Sequence, residues 1–368
     1  MKISSTIGAS RLNFFRRLAF QGAIVAATCL PLTAAVVTWS GASGSGSVSD
    51  NGNWVGNVAP PSGSDLLFAS DTGGGGGIVG FDAGITFNVP TLTFAATAPA
   101  MLVTGASASD VVNVTGTGTA VSNQSNIRQT SQNITIQVGA ATQTWDGGIT
   151  GLSISAIDLQ NNRTLTLTGI GTTATTRNEI TIGIDGTGTS GIMKSGAGTL
   201  LFTGKNTYVG ATSVSGGILQ LGTNERIANA SSLLFSNGAM LNLANFNETA
   251  GGLTIGAGGG IIDFGIGAGS NSLVLADSRL LSWAGLLTIR NFNAGDSLKV
   301  GTDGFALTSS QLANIKFESG TQAGNGTQTG QISSTGFVTP APVPEPSSVM
   351  LIGLGVIALV ARRRQSLA

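Results

Sequence analysis

Gly-Ala-Gly-Thr-Leu-Leu-Phe-Thr-Gly-Lys-Asn-Thr-Tyr-Val-Gly-Ala-Thr-Ser-Val-Ser-Gly-Gly-Ile-Leu-Gln-Leu-Gly, residues 196–222, is the stretch on which the fold turns. Leu200 and Phe202 stand two residues apart, as do Leu219 and Leu221. Side chains spaced by two point to one face of an extended strand. The segment holds a single lysine and no acidic residue, so it lacks the charged solvent face of an amphipathic helix. It reads as short strands turned at glycines. Leu200, Phe202, Val214, Leu219 and Leu221 are expected to face inward, with Gly204, Gly210 and Gly217 at corners of positive φ. Asn206 is expected to tolerate a left-handed turn and to bond neighbouring backbone.

Outward from this segment the same apolar pair recurs, at Ile134/Ile136, Leu152/Ile154, Leu165/Leu167, Ile182/Ile184, Leu200/Phe202, Leu219/Leu221, Leu241/Leu243, Leu253/Ile255 and Leu273/Leu275. Successive first members lie 18, 13, 17, 18, 19, 22, 12 and 20 residues apart. The six intervals from 17 to 22 suit one coil of a β-solenoid, a parallel β-helix-like stack in which each turn lays its inward side chains on the next. A β-sandwich places a strand every 8 to 12 residues or so, and the two short intervals keep it as the alternative. Composition supports an all-β class on either reading. Glycine supplies 56 of 368 residues and charged residues only 9%, against about 25% in an ordinary chain.

The two ends differ from this body. At the C-terminus, Val343-Pro344-Glu345-Pro346 precedes an apolar run over 349–361 and then Arg362, Arg363 and Arg364. At about 1.5 Å per residue, a 13-residue helix reaches about 20 Å across a hydrocarbon core of about 30 Å. The expected transmembrane segment is therefore short, and its arginines favour the cytoplasmic side. At the N-terminus, Lys2, Arg11, Arg16 and Arg17 precede an apolar stretch from Leu18 to Val37 that ends in small residues. That pattern reads as a secretory signal peptide over 1–35, cleaved after Ala35. The domain plan is thus a signal peptide, a repeat region over 36–340 and a sorting segment over 341–368.

The formal net charge of zero hides an asymmetry, because seven of the 17 basic residues sit in the terminal segments. Residues 36–346 carry ten basic residues against 17 acidic ones, thinly spread and with no basic patch, so nucleic acid is not an expected partner. Histidine is absent, and the single cysteine, Cys29, lies in the signal segment. Serine-histidine, cysteine-histidine and structural zinc chemistry are thereby excluded from the mature chain. Asp146, Asp158, Asp185, Glu225 and Asp263 are the carboxylates left for glycoside chemistry, and in the linear sequence they stand alone. The glycine triplets Gly75/Gly77/Gly80 and Gly186/Gly188/Gly191 match a dinucleotide pattern that a glycine-rich chain meets by chance. No catalytic, cofactor or metal residue is expected, and no enzyme. Trp54, Trp145 and Trp283 have rings broad enough to stack on a sugar face, with core packing as the competing role.

Two resemblances add to this. The Pro-Glu-Pro triplet, short apolar segment and arginine cluster resemble the PEP-CTERM sorting signal of exported Gram-negative proteins. That likeness implies recognition by an exosortase-type membrane protease, with Pro344, Glu345, Pro346 and Arg362 to Arg364 as substrate motif. It also implies export by the Sec machinery, transient inner-membrane anchorage, and an association with extracellular polysaccharide. Residues 196–222 resemble the autotransporter-associated β-strand repeat at Gly196, Gly198, Leu200, Thr203, Gly204, Asn206, Thr207, Tyr208, Gly210, Thr212, Val214, Gly217, Leu219 and Gly222. Looser likenesses cover Trp39 to Phe68 and Trp283 to Gly336. The function these resemblances imply is a cell-surface or matrix protein, structural or adhesive, with a carbohydrate-binding module or a polysaccharide-cleaving β-helix as alternatives.

Overall fold

A computed structural model describes residues 34–74, 76–267, 269–320 and 329–342. Short strands wind as a parallel β-solenoid and assemble into sheets of ten, fourteen and five strands. In the first sheet an inward ladder runs Leu66, Leu92, Val121, Trp145, Leu167, Lys194, Val214, Phe235, Ile255. In the second sheet Leu200, Leu219, Leu241, Ile262, Ile289 and Phe317 form another. Each position sits on its neighbour one strand away, so side chains from all coils merge into a single core.

Parallel pairing excludes the sandwich and explains the irregular intervals. Leu152/Ile154 belongs to the second sheet and Leu165/Leu167 to the first, as Leu241/Leu243 and Leu253/Ile255 do in turn. The intervals of 13 and 12 are steps from one wall of a coil to the next. Full coils, followed along the first sheet, range from 20 residues (Lys194 to Val214) to 29 (Leu92 to Val121). The ten strands of that sheet span nine spacings of about 4.8 Å, roughly 43 Å. One apolar pair was misassigned by spacing alone: Ile182 is exposed, and Ile180 and Ile184 are the buried members around an irregularity in strand Asn178–Thr187.

The corners of the 196–222 segment also differ from expectation. Gly217 has φ of 66°, and a Cβ there would lie 2.2 Å from the Gly198 carbonyl oxygen. Gly204 and Gly210 are not at positive φ. Gly204 is needed for space, since a Cβ would fall 2.0 Å from the Ile182 carbonyl carbon on the coil below. Asn206 is buried and does not turn left-handed. Its Oδ1 accepts from the Ile184 amide (2.7 Å) and its Nδ2 donates to the Arg226 carbonyl (2.5 Å), clamping the coils on either side.

At each end of the parallel stack one sheet is capped by antiparallel pairing. Strand Val36–Trp39 is covered by the chain around Trp54, where the Ser40 amide donates to Asn53 O and the Val55 amide to Thr38 O. Strand Phe337–Pro340 pairs antiparallel with both Ser297–Val300 and Gly330–Ile332. These caps occupy edges that would otherwise recruit another strand. Among the described residues no helix is long and apolar enough to cross a membrane. The expected membrane segment over 349–361 and residues 1–33 of the signal segment lie outside the described residues.

Candidate functional site

The tryptophans fall in three settings. Trp145 is fully buried in the inward ladder, between Val121 and Leu167, with its indole N–H donating to Gln143 Oε1 at 3.1 Å. Trp54 is 1% exposed, packs edge-on to Trp39 at 5.0 Å and donates to the Val48 carbonyl. Neither offers a ring face to solvent, Trp145 because strand alternation turns it inward and Trp54 because the capping turn after Asn51–Asn53 packs it on Trp39, so glycan contact is not available to these two. Trp283 is half-buried at the end of the first sheet, beside Ile255, and donates to Leu253 O. Ala35 is exposed, and its carbonyl accepts the Asp65 amide just ahead of strand Val36–Trp39. The sorting residues Val343, Pro344, Glu345, Pro346, Arg362, Arg363 and Arg364 lie outside the described residues.

The carboxylates that stand alone in sequence do not all stay apart. Asp158 and Asp185 are register partners on adjacent strands, one spacing of about 4.8 Å apart on the outer face of the second sheet. Asp158 accepts from Gln137 Nε2 (3.0 Å), Gln160 Nε2 (2.6 Å) and the Gln160 amide (2.9 Å). Asp185 accepts from the Thr207 hydroxyl. Their separation of 27 residues, one coil, was the signal that could have found them. Asp146 lies instead on the first sheet, and Asp263 further along the second, where it accepts from Asn291 Nδ2. Among the described residues no group of three or more His, Cys, Asp or Glu side chains is placed to share a metal ion.

The strongest electrostatic departures are inside the matched repeat and its next coils. Lys194 is 1% exposed, stacked between Leu167 and Val214, and its ammonium donates to the carbonyls of Ser195, Gly196 (2.8 Å) and Gly216 (3.1 Å). Burial pulls its pKa down to about 8. Glu248 is also 1% exposed; burial raises its pKa to about 7, against the opposing effect of the Arg226 and Ile227 amides that donate to it. Nearby, Tyr208 is fully buried and its hydroxyl pairs with Thr212, which pairs with Ser231. Burial pushes the Tyr208 phenol upward. Parity carries the signal missed here, since Lys194 shares a strand face with Ile192, and Glu248 with Ala250.

The exposed hollows are shallow and lie toward the N-terminal end. Asp82 lies between two clefts, of about 330 and 170 Å³, the larger lined by Ser45, Ser47, Ile78 and Phe81 and the smaller by Pro60 and Phe87. Beside them Asp50 accepts from Ser43, Ser45 and the Gly52 amide, which hold its carboxyl below the ordinary value. This network orders the capping turn around Asn53.

The described residues thus form a parallel β-solenoid whose central coils bury polar groups among an apolar core. Residues 193–221 match the passenger-associated-transport-repeat, and residues 342–364 match the PEP-CTERM protein-sorting motif. The chain therefore carries both elements. It is also similar to the adhesin BmaC autotransporter of Brucella suis biovar 1 (strain 1330), 36% identical over 91 residues. That similarity covers 24% of this chain and 3% of the adhesin. No solved structure matches.

Proposed function

We propose that the protein is an exported structural or adhesive component of the cell surface or extracellular matrix, sorted through its C-terminal segment and without enzymatic activity. The observation that carries this reading is the sorting motif over 342–364, which directly follows the antiparallel cap that closes the solenoid at Phe337–Pro340. Sec export, removal of residues 1–35 and recognition of Pro344-Glu345-Pro346 by an exosortase-type protease account for the two ends. The segment over 349–361 serves as a transient inner-membrane anchor, with Arg362 to Arg364 on the cytoplasmic side. Similarity to part of an adhesin supports the adhesive role, and association with extracellular polysaccharide follows from the same sorting system. A stack with an antiparallel cap at each end suits a load-bearing module that has no need of a cofactor.

Fractionation of the native host together with intact mass of the recovered protein tests this. The expected result is a surface or medium fraction whose mass lacks residues 1–35 and is altered at the C-terminus. Recovery of the full-length chain from the cytoplasm would overturn it. The adjacency of Asp158 and Asp185 favours one rival, a polysaccharide-cleaving enzyme. That rival predicts reducing ends released from polysaccharide by the purified protein and lost in Asp158→Asn and Asp185→Asn.

A further inference from the structure

The outer faces of the two large sheets are chemically unlike. The second presents Asp158, Glu179, Asp185, Asp263, Arg290 and Lys316. Outward positions on the ten strands of the first carry two charged residues, Asp65 and Asp146. Hydroxyls take their place. Thr142 and Thr144 lie beside Thr164 and Thr166, and Asp146 lies beside Thr168. The strand before adds hydroxyls across a bulge, with Thr119 beside Thr144 and Ser122 beside Asp146, and the strand after sets Met193 beside Thr166. Strand geometry sets these groups on a grid of about 4.8 Å across strands and about 6.7 Å along them.

The hydroxyls of this grid are unengaged. Some polar side chains elsewhere on the surface pair with one another, as Asn113 does with Asn88, Gln137 with Asp158, and Thr173 with Thr176. Among the described residues, no hydroxyl of Thr142, Thr144, Thr164, Thr166 or Thr168 has a protein hydrogen-bond partner. Each offers one donor and two acceptor sites outward.

We infer that this face is a binding track for an uncharged, extended polysaccharide, lying along the solenoid axis with successive sugars bonded to successive rungs. The inference deepens the surface or matrix reading above and rests on it. Charge selects the ligand class, because a face with no basic group and one central carboxylate repels anionic polymers and has nothing to neutralise them. Regular rows select a repeating chain over a small molecule, since weak contacts at constant spacing add up through multivalency. A second copy of the chain fits poorly, because stable interfaces have an apolar core and this grid lacks one.

The test is co-sedimentation of the purified full-length protein with a panel of insoluble uncharged polysaccharides, a β-glucan, a mannan and a galactan, against alginate as the anionic polymer. The expected result is retention on at least one neutral polymer and not on alginate. A double change, Thr144→Lys with Thr166→Lys, should reduce retention roughly tenfold, about 1.4 kcal/mol, while Lys316→Gln on the other sheet should leave it intact. Thr144→Val with Thr166→Val keeps the β-branched shape and removes only the hydroxyls, so it serves if the lysine variant misfolds, and it should also lose retention. No binding across the panel, or equal binding by the valine variant, would overturn the proposal. So would inhibition of ice recrystallisation without polysaccharide binding, which would assign the grid to ordered water. A cytoplasmic location would refute the export reading and leave these binding results standing, so the two failures are distinguishable.

Discussion

The N-terminal end and the central repeat fill the same kind of coil with different side chains added to an aliphatic core. At the N-terminal end the interior is aromatic: Trp39, Trp54, Phe68 and Phe94 pack at centroid distances from 5.0 to 6.4 Å. In the central repeat and the coils after it, the interior admits Lys194, Asn206, Tyr208, Thr212, Ser231 and Glu248. A terminal coil has a neighbour on one side only, so large rings that bury much area per residue compensate for the missing layer. A central coil has backbone on both sides. There a polar group can satisfy carbonyls and amides of adjoining turns, and the polar interior acts as coil-to-coil fastening.

The largest expected effect comes from breaking the aromatic end. Trp39→Ala removes a fully buried ring and should cost about 3–5 kcal/mol, read as a lower urea midpoint. Trp39→Phe sharpens the comparison. The buried Trp39 indole N–H has no partner among the described residues, so a phenyl ring removes an unsatisfied donor and should cost much less than alanine. Equal losses for both variants would show that the indole shape, rather than burial, matters at this end.

Next in size is a pH response confined to the polar-filled region. Folded Glu248 keeps its proton up to about 7, whereas its ordinary value is 4.5. Its contribution is therefore fully present below about pH 4.5 and lost as pH rises through about 7, a change of about 3 kcal/mol. Lys194 has the opposite slope. The folded chain releases its proton at about 8 and the unfolded chain near 10.5, so the cost of the buried charge is relieved as pH rises across that window. Stability should pass through a minimum between about pH 7 and 8. Denaturation midpoints across pH 4–10 read this directly. Glu248→Gln should flatten the acidic limb and Lys194→Met the alkaline one, and a profile unchanged by either would separate these groups from the pH response.

A smaller effect tests the fastening itself. Asn206→Leu leaves the Ile184 amide and the Arg226 carbonyl without their partner and should cost about 2 kcal/mol. Hydrogen exchange should show the loss as faster opening of the coils around Ile184. A uniform loss of protection along the whole stack would mean that the coils unfold as one unit.

The parts of this architecture legible in the sequence were those governed by strand parity. Leu200, Phe202, Leu219 and Leu221 are buried as their spacing requires, and of the three expected glycine corners Gly217 has the positive φ. Assignment of strands to walls was not legible, because the apolar pairs look alike on every wall. Gly204 shows a related limit: its requirement comes from the neighbouring coil, 20 or more residues away, rather than from local backbone. The same holds for Asp158 and Asp185 and for the threonine grid, which exist only once register is known. Lys194 and Glu248 were readable in principle, yet a charged residue at an inward position is ordinarily taken as a break in the pattern rather than as its filling.

The smallest expected effect is a charge change on the outside of the same stack. Arg290 and Glu318 pair at 2.6 Å, but their side chains are 37% and 38% exposed. Water screens both partners and each loses side-chain freedom on pairing, so Arg290→Ala should cost well under about 1 kcal/mol and less still in high salt. Set beside Glu248, the pair isolates the variable that matters. The carboxyl groups are chemically alike, and what differs is whether a coil of backbone or bulk solvent surrounds them. If Arg290→Ala proved as costly as Glu248 deprotonation, burial would no longer explain the contrast between the two regions.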